Sequence, residues 1–408
     1  MMDVVIVGGG ASGLMAAVLL AREGKRVMIL EKNDRVGKKL LATGNGRCNY
    51  TNLYASPKHY YSEDPDFTYL TLDAFTPEDT LTFFKSIGIE PKVEEEGKVY
   101  PLSEQASSFL DAFLLELKRL GVVIKTGEEV TSIKEGFSLH TKDNTYKAKA
   151  VLFTPGGHSM PKSGSDGTAY RLVTKLGHHL IEPFPSLVQL ELEGDFFKRV
   201  DGVKIKGEAS LYHEDKLLAT EKGDLLFTSY GISGPPILQL SRPAGALLKS
   251  GIEPILRIKL YDLSFNEMLE LLKKRREDFY DRDIDSFLIG LVNKRLSGAL
   301  YYLLGLNFKD KVESLTDSHL EGFARYLTDW PLKVTGNKGY ATSQATAGGI
   351  DTKDVSPYTL ESNLVPGLFF AGEVLDVDGR CGGYNLQWAW ASAFVASRQI
   401  GELIDTRS

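Results

Sequence analysis

Residues 3–31 read DVVIVGGGASGLMAAVLLAREGKRVMILE, and this stretch decides the fold. Asp3–Val7 is a short β-branched run of the kind expected for a buried parallel strand. A glycine-rich turn follows, then a helical pattern over Leu14–Glu23 closed by Gly24. Arg26–Leu30 with Glu31 restarts a strand, so the stretch is one strand–helix–strand unit. Within the turn, Gly8 permits a tight bend and Gly10 lets backbone approach a pyrophosphate. Gly13 allows close helix–strand packing. Ala11 and Ser12 open the helix, whose first amides suit phosphate oxygens. Glu31 ends the second strand 18 residues past Gly13, where a carboxylate accepts ribose hydroxyls, with Lys32 beside it. GxGxxG alone is a weak signal; in this setting it marks a dinucleotide site.

A chain of 408 residues is too long for one ordinary core, so two or three domains are expected. Hydrophobic residues make up 42% and charged residues 25%, the balance of a soluble globular protein. The formal net charge of −6 gives no global argument for nucleic acid, although a local basic face can still bind one. Cys48 and Cys381 are the only cysteines, which argues against a disulfide scaffold or structural zinc. No basic leader precedes the first strand, and no uninterrupted apolar run reaches the ~18 residues of a membrane span. A cytoplasmic protein without a metal site is the expectation.

Along the chain, an amphipathic helix is expected from about Asp73 to Ile87 and another over Ser107–Leu120. Val122–Lys125 and Ala148–Phe153 read as strands, the second ended by Pro155-Gly-Gly157. Residues 187–262 alternate apolar and polar positions, with turns at Asp201-Gly202, Lys222-Gly223 and Ser233-Gly-Pro-Pro236, which reads as antiparallel β structure. Residues 265–330 are helix-rich, and a long helix runs from about Leu386 to Leu403. The expected division is a nucleotide-binding domain over 1–187, an inserted β domain over 188–262, an inserted helical region over 263–338, and completion of the first domain over 339–408.

Two later segments separate FAD from NAD. Ala148–Gly157 (AKAVLFTPGG) resembles the strand and paired glycines that return to the cofactor in two-dinucleotide flavoproteins, and Val130 precedes it. Leu364–Asp376 (LVPGLFFAGEVLD) resembles their C-terminal flavin segment, in which Gly372-Glu373 follows a strand. No second complete dinucleotide fingerprint is evident. The chain also carries GKKLLATGNGRCNYTN at 37–52, GKVYPLSEQASS at 97–108, GGHSMPKSGSDG at 156–167 and PSLVQL at 185–190. LLFTSYGISGPPILQL at 225–240, ATAGGID at 345–351 and FAGEVLDVDGRCGGYNLQWAWA at 370–391 complete the set. Together they resemble the BaiN/RdsA-like flavoproteins, also called the YhiN-like family, over essentially the whole chain. Thr154-Pro155 and Ala345 depart from the family's usual Ala-Thr and valine, as local variants of backbone or packing.

The resemblance implies an α/β, discontinuous Rossmann-type FAD-binding domain of the two-dinucleotide-binding class, with an inserted antiparallel, barrel-like β region and a helical region. It implies an FAD-dependent oxidoreductase that reduces a carbon–carbon double bond by hydride transfer from flavin N5, with NADH or NADPH as transient donor. Relatives make dihydrouridine in large-subunit ribosomal RNA or act on bile-acid-like steroids. Ribosomal RNA and a small enone are therefore the two candidate substrates; a flavin-stabilised ribosome-associated binding protein is the third reading.

The residues expected at the cofactor follow from these motifs. They are Gly8, Gly10, Ala11, Ser12, Gly13, Glu31 and Lys32 from the first unit. Lys38, Lys39, Thr43, Gly44, Arg47, Cys48 and Asn49 come from the loop beyond it. Val130, Thr154, Gly156, Gly157, Gly372, Glu373 and Asp376 come from the two flavin segments. Gly382, Gly383, Tyr384, Asn385 and Leu386 precede or open the last helix, whose amides suit the charge of reduced flavin. Arg47, in a glycine–amide loop, is the expected forked anchor on phosphate or flavin. Cys381 and Tyr384 are the candidate proton donors, with Cys381 as a packing residue the alternative. Cys48 is expected to be structural, and His158 a turn residue. Ser163-Gly-Ser-Asp166 is a polar turn on the substrate side. His178-His179 lacks a third ligand, and Lys273–Arg276 reads as a solvated helix face.

Overall fold

The N-terminal apolar run forms the strand Met2–Val7, of which all but the first residue is buried. In the computed structural model, which describes residues 1–406, this strand is central to a sheet whose parallel members are aligned at one end. Lys125, Leu30, Val7, Phe153 and Phe370 lie side by side, on the strands Val123–Thr126, Val27–Glu31, Met2–Val7, Thr145–Phe153 and Leu368–Phe370. The chain segments that leave this row share the carboxyl edge, where doubly wound sheets place their ligands. They begin at Gly8, Glu31, Thr154 and Ala371. The first half of Thr145–Phe153 instead pairs antiparallel with Ser138–His140, which pairs with Ser132–Lys134.

The helix Ala11–Arg22 follows the glycine turn and packs on the long C-terminal helix Tyr384–Thr406. That last helix is buried over much of its length. Trp390 joins Tyr50, Phe84, Phe109 and Phe113, its ring centroid 5.1 Å from that of Phe84, and donates from Nε1 to the Tyr50 carbonyl at 2.7 Å. Gln387, fully buried, accepts from Thr51 Oγ1 at 2.6 Å and Thr80 Oγ1 at 2.7 Å and donates to the Phe75 carbonyl at 3.0 Å. Satisfied on three sides, this carboxamide costs little to bury and fixes three segments against the helix.

The single helix expected from Asp73 to Ile87 is two, Phe67–Ala74 and Pro77–Ser86. Thr76 caps the second: its side chain accepts from the Asp79 amide at 3.3 Å, and the Asp79 carboxylate accepts from the Thr76 amide at 2.9 Å. Pro77 has no N–H to give the preceding turn, so the break falls where the chemistry puts it.

The chain divides into two units: Met1–Pro185 completed from Gln344 onward, and Ser186–Ser343. The second unit is a closed antiparallel barrel of Leu190–Leu192, Gly231–Ser233, Lys216–Thr228, Lys204–His213, Ile255–Lys259 and Trp330–Asn337. Residues 330–337, read above mainly with the helical stretch, supply the strand that closes it. Barrel residues such as Leu211, Phe227 and Leu256 share one core with Leu272, Leu300 and Phe323 of the helices. Ser233-Gly-Pro-Pro236, expected as a turn, opens the helix Pro235–Lys249; two prolines suit first-turn positions, whose amides have no intrahelical acceptor. Among the described residues no helix is long and apolar enough to cross a membrane.

Candidate active site at the carboxyl edge of the sheet

A cleft of about 1290 Å³, open to solvent, lies within the first unit along the carboxyl edge. Its wall includes Glu31, Asn33 and Val130, the Gly8–Ser12 turn with Lys39, and Thr43, Gln344, Asn385 and Leu386.

The glycine turn is built as its spacing requires. Gly8 has a φ of 104°, and a side chain there would run into the Thr154 carbonyl. A Cβ on Gly13 would strike the Gly8 carbonyl and lie 2.8 Å from Thr154 Oγ1, so Gly13 is a packing glycine outside the cleft wall. A Cβ at Gly10 meets nothing within 4 Å: the backbone there fronts open cleft. Thr154 Oγ1 donates to the Gly8 carbonyl at 2.9 Å and holds the turn from the neighbouring strand. Glu31 lines the cleft but is already engaged. Its Oε2 accepts from the Gly9 amide at 2.9 Å, and Oε1 accepts from the Asn33 amide at 2.8 Å and side chain at 2.7 Å. The carboxylate expected for ribose thus also braces the phosphate turn.

Lys39 and Glu373, 334 positions apart, form an ion pair in the cleft wall. Glu373 also accepts from Ser159 Oγ at 2.7 Å and the Thr346 amide at 2.8 Å. Burial pushes this carboxyl up, but Lys39, Ser159 and the Thr346 amide outweigh it and hold the group below its ordinary value. Lys32 pairs with Asp166 at 2.7 Å and Lys38 with Asp34 at 2.7 Å. Asn33 Nδ2 donates to the Ser163 carbonyl at 3.0 Å, which sets the Ser163–Asp166 turn beside Asn33 and Glu31. Ala11, Ser12, Lys32, Lys38, Thr154 and Gly156 line the cleft too.

Arg47, the expected anchor, does not line it. Its Nη2 is held by Glu94 and Glu104, and its guanidinium lies 4.0 Å from the centroid of the Tyr100 ring, so it braces the loop. Gly44, Asn45, Gly46 and Cys48 all take left-handed backbone angles in this tight loop. Cys48 is fully buried and its thiol is pushed up to about 12 by desolvation, against a hydrogen bond from Thr43. Asn49 lies beside Gly383, where an added Cβ would come 2.9 Å from Asn49 Oδ1. Neither lines the cleft.

Gly157, Gly372 and Asp376, also expected at the cofactor, lie outside the cleft wall. Gly157 packs against Thr346, and Gly372 accepts from Trp388 Nε1 at 3.2 Å. Asp376 accepts from the Glu63 amide at 2.7 Å. Gly382 and Gly383 have φ of 114° and 98° and make the turn that starts the last helix, so Asn385 and Leu386 reach the cleft and Tyr384 does not. Cys381 Sγ lies 3.9 Å from Oε1 of Gln344, a cleft residue that the sequence reading missed. Asn33, Ser159 and Thr346 were missed as well; Asn33 alone had a signal, as the polar residue two past Glu31.

His158 donates its amide to Thr346 Oγ1 at 2.8 Å, and His178 bridges the Val173 carbonyl and Ser362 Oγ. No group of three or more His, Cys, Asp or Glu among the described residues is placed to hold a metal ion. In the Lys273–Arg276 run, Arg275 and Arg276 are tied to the carbonyls of Phe287, Ile289 and Leu315.

The cleft fits a dinucleotide. Gly10 leaves room for a pyrophosphate at a helix start, and Ser165, in its wall, has a buried hydroxyl with no partner in the protein. The parallel sheet, the phosphate turn and the closing Leu368–Glu373 segment define a Rossmann-type FAD-binding oxidoreductase. The chain belongs to the HI0933-like family, matching its Rossmann domain over residues 2–399. It is 36% identical to a 3-dehydro-bile acid Δ4,6-reductase from Clostridium scindens, covering 97% of this chain and 98% of that one. It is 30% identical to a ribosomal RNA dihydrouridine synthase from Haemophilus influenzae, covering 97% and 98%. A 3-ketosteroid Δ1-dehydrogenase from Sterolibacterium denitrificans shares the fold, with a TM-score of 0.52 at 12% identity over 98% of this chain and 99% of that one.

Proposed function

We propose that this protein reduces an electron-poor carbon–carbon double bond, and that the bond belongs to a uridine of large-subunit ribosomal RNA. The observation that carries the reading is the cleft itself. Its wall residue Gln344 stands next to Cys381, and Tyr384 follows in the same turn outside the wall. FAD held by these residues, when reduced, would supply the hydride for one alkene carbon. The chain's share is to hold the cofactor and to give a proton to the second carbon. Lys32, Lys38, Lys39 and the amides at Gly10–Ser12 are suited to the phosphates. Cys381 and Tyr384 are the candidate acids. Burial raises both groups above their ordinary values, against the pull of Lys98 and Arg380, which keeps them protonated near neutral pH.

Two relatives named as ribosomal RNA dihydrouridine synthases support the RNA substrate. The test is the dihydrouridine content of large-subunit ribosomal RNA from a deletion strain; unchanged content rejects RNA. The bile-acid reductase, at higher identity, favours a second reading in which the substrate is a small enone. Reoxidation of the reduced flavin by an enone, with no RNA present, would support that one. NADH or NADPH is the proposed electron donor, checked by which of them bleaches the flavin spectrum.

Replacing Cys381 by Ser and Tyr384 by Phe separates the two acids. The true donor loses about 10²–10⁴-fold in kcat with KM little changed, read in single-turnover reoxidation.

A further inference from the structure

The segment Tyr54–Tyr61, YASPKHYY, interleaves three tyrosines with a lysine and a histidine, and none of the cleft chemistry uses it. The fold wraps it around the turn that carries Cys381. Arg380 donates its amide to the His59 carbonyl at 3.1 Å, and Tyr60 donates its hydroxyl to the Tyr384 carbonyl at 2.9 Å. The rings of His59 and Tyr384 lie 5.0 Å apart. Tyr54 is 64% exposed and lies against Gly97, and Lys58 is exposed as well. From the other side Lys98 reaches the same turn, its Cε 3.4 Å from where a Cβ on Gly382 would stand.

Three cations, Lys58, Lys98 and Arg380, lie at the segment and the turn; Lys98 is bound to Glu96 at 2.6 Å, Asp378 pairs in register with Tyr61, and Glu63 and Asp64 follow the segment in sequence. Cations beside an exposed aromatic ring are what an unpaired nucleic-acid strand requires: the cations for phosphates and the ring for a base to stack on.

We infer that the Tyr54–Tyr61 segment, with Arg380 and Lys98, is the docking face for single-stranded RNA on either side of the reacting uridine. This rests on the ribosomal RNA reading above. Tyr54 stacks a neighbouring base, and Lys58 neutralises a phosphate.

The test uses the full, flavin-loaded chain and a short uridine-containing single-stranded RNA, with binding followed by fluorescence anisotropy at several salt concentrations. Dihydrouridine is measured in the same RNA. Lys58→Ala is expected to reduce the dependence of log K on log salt by about 0.7, the share of one phosphate contact on a single strand. Tyr54→Ala is expected to weaken binding about tenfold. Both variants should keep the wild-type flavin spectrum, which excludes loss of fold as the cause. If the wild type binds and modifies the RNA while both variants match it in affinity and salt slope, this face is overturned and the RNA substrate stands. If the wild type neither binds nor modifies RNA at any salt, the substrate reading falls, and this inference with it.

Discussion

Cys48 shows how burial decides a side chain's chemistry. Its sequence setting, in a polar loop near a flavin motif, suits a reactive thiol; in the fold it is fully buried and pushed up to about 12. It is expected to resist a thiol reagent at pH 8 in the native protein and to label after denaturation, as peptide mapping by mass spectrometry would show. Uptake by the native state would sink that account. The Lys39–Glu373 pair makes a second prediction. Lys39→Met leaves a part-buried carboxylate without its cation and should cost roughly 1–3 kcal/mol in urea unfolding, below the cost for a fully buried pair. Arg47 lies outside the cleft wall, where the sequence placed it at the cofactor. Its Nη2 is paired with Glu94 and Glu104, and residues some 50 positions away leave no trace in a local pattern. Lys39 and Glu373 were legible because each sits in a motif. Ser159 and Thr346, which complete their network, were not, since ordinary hydroxyl residues carry no spacing signal.

Elements were easier to read than side-chain partners. Gly8 and Gly13 take the turn and packing roles that their spacing assigns, and Gly10 fronts the open cleft, because backbone clearance is a local property. Gly13→Ala should therefore abolish flavin retention or folding: its Cβ would strike the Gly8 carbonyl, backbone that has no rotamer to give. A stable, yellow Gly13→Ala protein would contradict this. The break at Thr76 was also written in the chain, as Thr-Pro-Glu-Asp, yet hydrophobic periodicity ran across it and concealed it. Thr76→Ala should cost about 1 kcal/mol of stability, measured by chemical denaturation. The barrel's closing strand was harder, since Trp330–Asn337 follows a helical run and pairs with strands more than 70 residues earlier.

For the whole molecule, acid stability has identifiable sources. Arg26 lies on Asp3 and holds its carboxyl well below the usual range. Arg119, joined by Arg22 from another helix, holds Glu116 at about 2 against an ordinary 4.5. Both carboxylates have lowered values in the folded state, so their contributions are complete above the unfolded values and decline as pH falls through the folded ones. For Glu116 that window runs from 4.5 down to about 2. Glu116→Gln should flatten the stability profile there, measured by urea midpoints at successive pH values; an unaltered slope would show that the ion pair does not act on folding.

The aligned row from Lys125 to Phe370 bears on how the protein is made. The phosphate turn leaves the ribosome long before the strand Leu368–Phe370 and the helix that starts at Tyr384. The barrel between them has all its strands in hand by Asn337, before the domain that flanks it in sequence can close. Cofactor capture is thus a late event in biosynthesis, and chains stalled before residue 368 should emerge colourless however much flavin the cell holds.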